Sequence, residues 1–454
     1  MLVLLGRIWA LLLTPVILLT GASVPVTKMA GDGAITATRR TYAYDNEKLL
    51  LGAYNCWLLD NYEVLPPLAA GAGLDFLISN VNDDFMDLCE AAGVGVVAAR
   101  YNAPSAYYTI PADTEAAWKA MNMASYKDHP ALWGDDLIDE PTSAEFGKIN
   151  GILEHYYSLN TGRLPLVNLF PVYANSEQLG NEPDVGSAKY LLPLTTYSDE
   201  RLDRYRRHTA DYIKTIDTDY ISVDIYPYNV TGTIDGWLHN LDILAEACRD
   251  TGRDLWVITQ AAGNEVDEGG SMRWSDTKAD QLQQSWASLA FGAKAIIYAC
   301  FQTGWWDAGS HMVNPAGETT QTYDAVRAVN AELAPFAKKY GEYRWLGAYT
   351  VNTHKAAGLR WELSNGLPKK ERPSISSSDG LLVGCFEAKQ GGGRAYVIVN
   401  MMELLDEKTA TLTVDFPSGK AVELYAGGEK LTSRDGGKTA LTLAPGDGVF
   451  ITVG

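Results

Sequence analysis

Between about residues 48 and 345 eight short apolar runs alternate with amphipathic helical stretches, and this alternation restricts the fold more than any other feature of the chain. The runs are Leu51–Trp57, Leu74–Asn80, Gly95–Tyr101, Leu132–Asp139, Leu164–Phe170, Tyr220–Tyr226, Leu255–Gln260 and Ala295–Phe301. Helical patterns lie between them at Asp83–Ala92, Thr114–Met123, Ala144–Leu159, Asp199–Ile216, Leu241–Thr251 and Asp276–Phe291. A strand buried on both faces and followed each time by a helix is the signature of a parallel sheet, and eight such units predict closure into a barrel. Cys56 and Cys300, on the first and last runs, become neighbours if the barrel closes. No Gly-x-Gly-x-x-Gly follows any run, which argues against a dinucleotide site. After residue 345 the pattern changes to short alternating strands with Gly and Asp punctuation: Leu381–Glu387, Ala395–Asn400, Thr409–Phe416, Lys420–Tyr425, Thr439–Leu443 and Gly448–Val453. The fold class expected is therefore α/β, a (β/α)8 TIM barrel over 45–345 followed by a small all-β sandwich over 346–454, a brace for the barrel or, less commonly for such a module, a sugar-binding unit. Residues 366–379 read as an exposed loop.

The N-terminus carries one Arg, an apolar run from Ile8 to Leu19 and then small residues, which matches a secretory signal over 1–22. The run is short for a membrane span, so the expected location is secreted, cell-surface or periplasmic, without stable membrane insertion. The formal net charge of -19 repels phosphate backbones and disfavours nucleic acid as a partner. The 5 Cys and 6 His are dispersed, without the spacing of a disulfide framework or a metal site, so neither a metal nor a cofactor is expected. The 25 Tyr and 12 Trp outnumber the 10 Phe, a bias that suits the stacking of sugar C–H faces on rings with polar edges. The sequence leaves the oligomeric state open.

In a barrel, chemistry sits at the C-terminal ends of the strands, and there the runs turn polar. Asn55, Asn80, Tyr101, Asn102, Gln260 and Gln302 are candidates for hydroxyl recognition, since amides both donate and accept. Two acids, Asp139 and Glu140, close the fourth run ahead of Pro141. Alternation sends successive side chains to opposite faces, so one of them faces the mouth and the other braces a neighbour. The competing role for Glu140 is to cap the helix that starts near Thr142 and Ser143. Asp224 interrupts the apolar sixth run, where an unpaired charge is costly, and is a candidate second carboxylate. Its competing role is a structural ion pair with Arg100 or Lys294. Long connections at 171–198 and 302–323 are candidate walls of the site, the second carrying Trp305 and Trp306 as a stacking platform.

The Asp139-Glu140-Pro141 segment resembles the Asn-Glu-Pro of the large clan of retaining barrel glycosidases that includes β-galactosidases, β-glucanases and β-mannanases. The resemblance implies Glu140 as acid/base, Asp139 at the sugar 2-hydroxyl, Tyr226 near the nucleophile and Trp305 or Trp306 under a sugar ring. It also covers the eighth-strand text Gly292–Tyr298 and the later Thr322–Val326 with Asn330 and Glu332. One departure stands out. The clan carries its nucleophile, a Glu, at the end of the seventh strand, where this chain has Gln260. Gln cannot form a glycosyl ester, so Asp224, or Glu265 or Glu268 in the following loop, is left to serve as the second carboxylate.

The expected function is hydrolysis of O-glycosidic bonds in a neutral, β-linked oligo- or polysaccharide by two carboxylates, Glu140 and Asp224. The alternative is a secreted, non-catalytic carbohydrate-binding protein on a degenerate barrel. A Schiff-base aldolase would need a strand-borne lysine, and Lys294 opens its strand instead of ending it.

Overall fold

A computed structural model describes residues 33–99, 125–159, 162–180, 199–264, 272–359 and 362–454. Eight parallel strands close into a barrel. They are β1 (Leu50–Asn55), β2 (Phe76–Ser79), β3 (Gly95–Ala99), β4 (Leu132–Asp139), β5 (Leu164–Leu169), β6 (Tyr220–Ile225), β9 (Asp254–Gln260) and β10 (Ala293–Ala299). A small hairpin, β7 (Tyr228–Asn229) and β8 (Gly232–Thr233), intervenes after β6. β1 pairs with β10, Tyr54 opposite Ala299, which closes the ring and sets Cys56 and Cys300 side by side as free thiols. A Cβ on Gly304 would lie 2.3 Å from Cys300 Sγ and 3.7 Å from Cys56 Sγ.

The period of two explains the double burial. Leu50, Phe76, Ile78, Leu164, Leu166, Trp256, Ile258 and Ile297 fill the barrel interior. Their neighbours Leu51, Leu77, Val167, Val257 and Ile296 face the helices outside. Those helices are α1 (Leu65–Gly71), α2 (Asp83–Ala92), α3 (Phe146–Leu159), α4 (Asp199–Thr215), α5 (Trp237–Thr251), α6 (Lys278–Ala290), α7 (Gln321–Leu333) and α8 (Ala337–Gly341). Their limits follow local chemistry. Asn82 caps α2 by accepting from Phe85 N at 2.7 Å, and Gly93 ends it at φ 70°. Thr277 and Asp280 form a capping box on α6. α5 begins four residues before the expected Leu241, behind the left-handed Gly236, because Asn240 is drawn into the wall to accept from Val172 N at 2.7 Å. The expected helix at 114–123 and the 1–22 segment lie outside the described residues.

The C-terminal module is an antiparallel sheet ordered β11-β13-β14-β17-β15-β12, with β16 on β15. Its strands are β11 (Tyr343–Val351), β12 (Ser374–Ser377), β13 (Leu381–Ala388), β14 (Arg394–Asn400), β15 (Ala410–Ala426), β16 (Glu429–Leu443) and β17 (Gly448–Val453). The two strands expected at 409–416 and 420–425 are one long strand whose register shifts between Phe416 and Ala421. β11 and the edge strand β12 were not legible as strands; β12 falls inside the segment read as a loop. Alternation again serves two cores. Leu381, Val383 and Cys385 face the sheet's own curl, while Leu382, Phe386, Val397 and Phe450 face the barrel. Trp286 of α6, fully buried, packs under Gly448, where a Cβ would come within 2.5 Å of its ring. Replacing Gly448 with Ala is expected to cost about 1–3 kcal/mol by overpacking, read as a lowered urea midpoint with an unchanged slope.

Candidate active site

The fourth strand does not alternate evenly to its end. Its register with β5 shifts between Asp136 and Ile138, a bulge that puts two residues where one would be. Ahead of the bulge Asp135 points out of the barrel, bonded by Tyr156 Oη at 2.7 Å and facing Arg163 at 3.3 Å. Asp136 points in, taking a hydrogen bond from Tyr54 Oη at 2.5 Å. Past the bulge Asp139 points in as well, accepting from Asn168 Nδ2 at 3.1 Å. Glu140 then adopts φ 48°, a left-handed backbone that costs a residue with a Cβ about 1–2 kcal/mol. Its N–H is held by the Asn168 carbonyl at 2.8 Å. This conformation, together with the bulge, overturns the expectation that alternation would separate Asp139 from Glu140. The helix-capping role falls to other residues: Thr142 and Glu145 form the capping box, Thr142 N donating to Glu145 Oε2 at 2.8 Å.

Asn168, at the end of β5, organises the acids. Its Nδ2 donates to Asp224 Oδ1 at 2.8 Å as well as to Asp139, and its Oδ1 accepts from Ser222 Oγ at 2.9 Å. Asp224 is buried, and the Tyr226 hydroxyl faces it and favours its charged form. Neither Asn168 nor Asp136 stood among the candidates, although Asn168 breaks an apolar run in the same way as Asp224.

The electrostatics follow from crowding. Burial, and then the charges of Asp224 and Asp139, push the Glu140 carboxyl up to about 9. Burial, and then Asp139, push Asp224 up to about 7, against the hydrogen bond from Asn168. Asp136 is also pushed up to about 7, by burial and then Asp139. Carboxylates with raised affinity for protons, at the mouth of a barrel, are arranged to share and pass protons. The ion-pair role for Asp224 loses one of its partners: Lys294 lies at the start of β10, at the other end of the barrel, and Arg100 is outside the described residues.

An aromatic wall stands beside the acids. Trp305 packs edge-on to Tyr54 with centroids 5.5 Å apart, and Trp306 to Tyr226 at 4.6 Å. Both Trp rings are partly exposed, and Trp306 is held at φ 67°. His311 braces this loop, its ring nitrogens 2.9 Å from the carbonyls of Gln302 and Trp305. Asn80, one residue past β2, is only 8% exposed, and neither of its amide atoms has a hydrogen-bond partner among the described residues. A buried amide left unsatisfied costs about 1–3 kcal/mol, which a hydroxyl ligand would recover.

The other amides are spent on the scaffold. Asn55 Oδ1 accepts from Gln302 N, Thr303 N and Thr303 Oγ1, and its Nδ2 donates to Ser79 Oγ and Trp57 O. Gln302 Nε2 reaches Asn61 Oδ1 at 3.2 Å and Asn314 O at 3.3 Å, away from the acids. Gln260 is fully buried. Its Oε1 accepts from Tyr228 N at 2.9 Å, and its Nε2 donates to the carbonyls of Arg273 at 2.8 Å and Ala262 at 3.2 Å. Asn55 and Gln260 therefore spend both amide atoms on holding loops together, while Gln302 spends its Nε2 and leaves its buried Oε1 without a partner among the described residues. Gln260 is a strap, not a damaged nucleophile. Gln260→Glu would set a carboxylate against carbonyl oxygens, and is expected to destabilise by about 2–4 kcal/mol in chemical denaturation without raising activity. Tyr101, Asn102, Glu265 and Glu268 lie outside the described residues.

Among the described residues, a group able to gather a metal is Asp87 and Glu90 of α2 with His129, which lies just ahead of β4. There Ala131 N donates to His129 Nδ1, which leaves Nε2 as the proton-bearing nitrogen facing Asp87. No described helix is long and apolar enough to cross a membrane.

No known family model and no curated protein matches the chain. Among solved structures it is similar to a protein described as a glycoside hydrolase, at 12% identity over 91% of this chain and 98% of that one, with a TM-score of 0.43. It is similar to a β-galactosidase from Bacillus circulans sp. alkalophilus at 10% identity, over 90% of this chain and 99% of that one, with a TM-score of 0.42. It is similar to a β-L-arabinopyranosidase from Geobacillus stearothermophilus at 11% identity, over 90% and 96% of the two chains, with a TM-score of 0.43. These are likenesses of overall architecture, and what the site can do rests on the side chains described above.

Proposed function

We propose that this protein is a glycoside hydrolase, with Glu140 as general acid and Asp224 as the carboxylate that supports the developing positive charge. The observation that carries this is the Glu140–Asp224 pair itself, carboxyls at the ends of β4 and β6, where the charge of buried Asp224 adds to desolvation in raising the proton affinity of Glu140. Protonation of a glycosidic oxygen needs an acid that keeps its proton near neutrality, and an oxocarbenium-like transition state needs an anion beside it. The pair meets both needs at once, since Glu140 holds its proton to higher pH than Asp224. The Asn168 amide keeps Asp224 and Asp139 in place. A mouth holding four carboxylates, in a chain of net charge -19, favours a neutral substrate over an anionic one. Trp305 and Trp306 offer rings to a sugar face, and Asn80 offers an unpaired amide to a hydroxyl. The β-linkage proposed rests on the likeness of residues 139–141 to the Asn-Glu-Pro segment.

A panel of neutral α- and β-linked aryl glycosides and polysaccharides, scored for both binding and product, tests the proposal. Product released by the wild type and lost in Glu140→Gln supports hydrolysis. Binding without product by the wild type supports the second reading, a sugar-binding barrel, which the committed Gln260 favours by leaving the seventh strand without an acid. Trp305→Ala is expected to raise KM about three- to tenfold with a smaller change in kcat, the loss of about 1 kcal/mol of ring contact.

A further inference from the structure

At the end of the barrel opposite the carboxylates, a cavity of about 290 Å³ opens between the starts of β9 and β10 and the C-terminal sheet. In an acidic chain its lining is basic: Arg39, Arg249, Arg253, Lys294, Arg344 and Lys389 surround it, with Asp254 as the one carboxylate residue of the lining. Five of the six cations are already engaged. Arg39 pairs with Asp254 at 2.7 Å, Arg249 with Asp250 at 2.8 Å, Arg344 with Glu387 at 2.6 Å and Lys389 with Glu47 at 3.4 Å. Arg253 donates to the carbonyls of Thr218, Ile35 and Ile216.

Lys294 is different. It makes no ion pair among the described residues, and its Nζ stands 4.9 Å from the centroid of the Tyr340 ring. The backbone puts it there deliberately. Ala293 pairs with Leu255 and Ala295 with Trp256, so Lys294 is the extra residue of a β-bulge, the device that re-aims a side chain out of its ladder. Burial is the largest influence on its ammonium and lowers it to about 8, with Lys389 and Arg39 acting in the same direction against Asp254 and Glu47. A desolvated cation without a direct ion pair is costly to keep. The rest of the lining is ring-rich, with the largely buried side chains of Phe291, Tyr340 and Trp345 forming part of the cavity wall.

We propose that this cavity binds a small aromatic oxyanion, its charge met by Lys294 and its ring packed against the Phe291, Tyr340 and Trp345 side chains of the wall. Both the barrel and the C-terminal sheet supply the walls, so an occupant ties the two together.

Thermal unfolding of the full chain with phenyl phosphate, with benzoate, with neutral phenol, and with sodium chloride at matched ionic strength tests this. Phenyl phosphate or benzoate is expected to raise Tm by about 2–4 °C or more near saturation, with phenol and chloride far behind. Lys294→Met is expected to weaken phenyl phosphate binding at least about thirtyfold, while Lys294→Arg retains it. An equal rise with chloride, or undiminished binding by folded Lys294→Met, overturns the proposal. Should Lys294→Met fail to fold, a wild-type crystal soaked in p-bromobenzoate decides by anomalous scattering. Bromine beside Lys294 supports the site, and bromine elsewhere or nowhere overturns it.

Discussion

Glu140→Gln is expected to lower kcat on a neutral glycoside with a poor leaving group about 10²–10⁴-fold while KM changes little. The amide keeps the shape of the carboxylic acid and can still fill its place in the mouth, but it cannot release a proton to the leaving oxygen. The loss should shrink with an activated leaving group such as dinitrophenol, which departs without protonation. That dependence separates an acid from a residue that merely shapes the pocket. The pH profile carries the same information. Glu140 must be protonated to act, and burial with Asp224 and Asp139 beside it holds its proton up to about 9. Activity should therefore fall as pH rises through that value. Asp224 must be ionised to support positive charge, so activity should fall as pH drops through about 7. The two limbs belong to the pair. In Glu140→Gln the alkaline limb should vanish, while the acid limb should stay near its wild-type position, because Glu140 is already uncharged where Asp224 titrates. An unchanged kcat, or an alkaline limb that persists in the variant, sinks the assignment.

Asp136→Asn is expected to stabilise the protein above pH 8 by about 2–4 kcal/mol and to leave it unchanged near pH 4. In the folded chain this carboxyl is pushed up to about 7 from its ordinary 3.8, by burial first and Asp139 second. The folded state thus holds the proton more tightly than the unfolded one. The stability this confers is complete below the ordinary value and is lost as pH rises through about 7. Above that, folding must maintain a partly desolvated anion beside Asp139, with the Tyr54 hydroxyl as its hydrogen-bond donor among the described residues. Asn removes the charge and can still accept from Tyr54. Urea denaturation at pH 4 and at pH 8.5 checks this, and a variant no more stable than the wild type at the higher pH refutes it. A gain there, accompanied by a loss of activity, would mark the acid cluster as strain kept for function.

The fold was legible because its signals are local. Strand β4 begins and ends where the apolar text does, at Leu132 and Asp139, and α2 spans Asp83–Ala92 as expected, because Asn82 and Gly93 terminate it through their own side chain and backbone. The expected barrel runs overshoot most often at their C-terminal ends, by one or two residues: Asn80 and Tyr226 leave the ladder to face the mouth. In the C-terminal sheet, strand β11 escaped notice because Gly347 interrupts its alternation, with the register against β13 shifting between Trp345 and Gly347.

The acids were legible as residues, but their arrangement was not. Two adjacent acids ahead of a proline mark the end of a strand, and a charge within an apolar run marks Asp224. Which acids face inward depends on a bulge near Ile138 and a left-handed Glu140, neither of which leaves a mark in residue order. Asn168 unites three strands by bonding Asp139, Asp224 and Ser222, contacts separated by 29 to 56 residues. Gln260 shows the converse: at the position where a nucleophile was expected, its amide is committed to backbone groups on two loops. Periodicity and composition act over a few residues, and they determined the barrel, the sheet and the strand ends where chemistry gathers. The direction of each side chain at those ends, and so the proton affinity of each acid, was decided by packing between strands that only the closed barrel brings together.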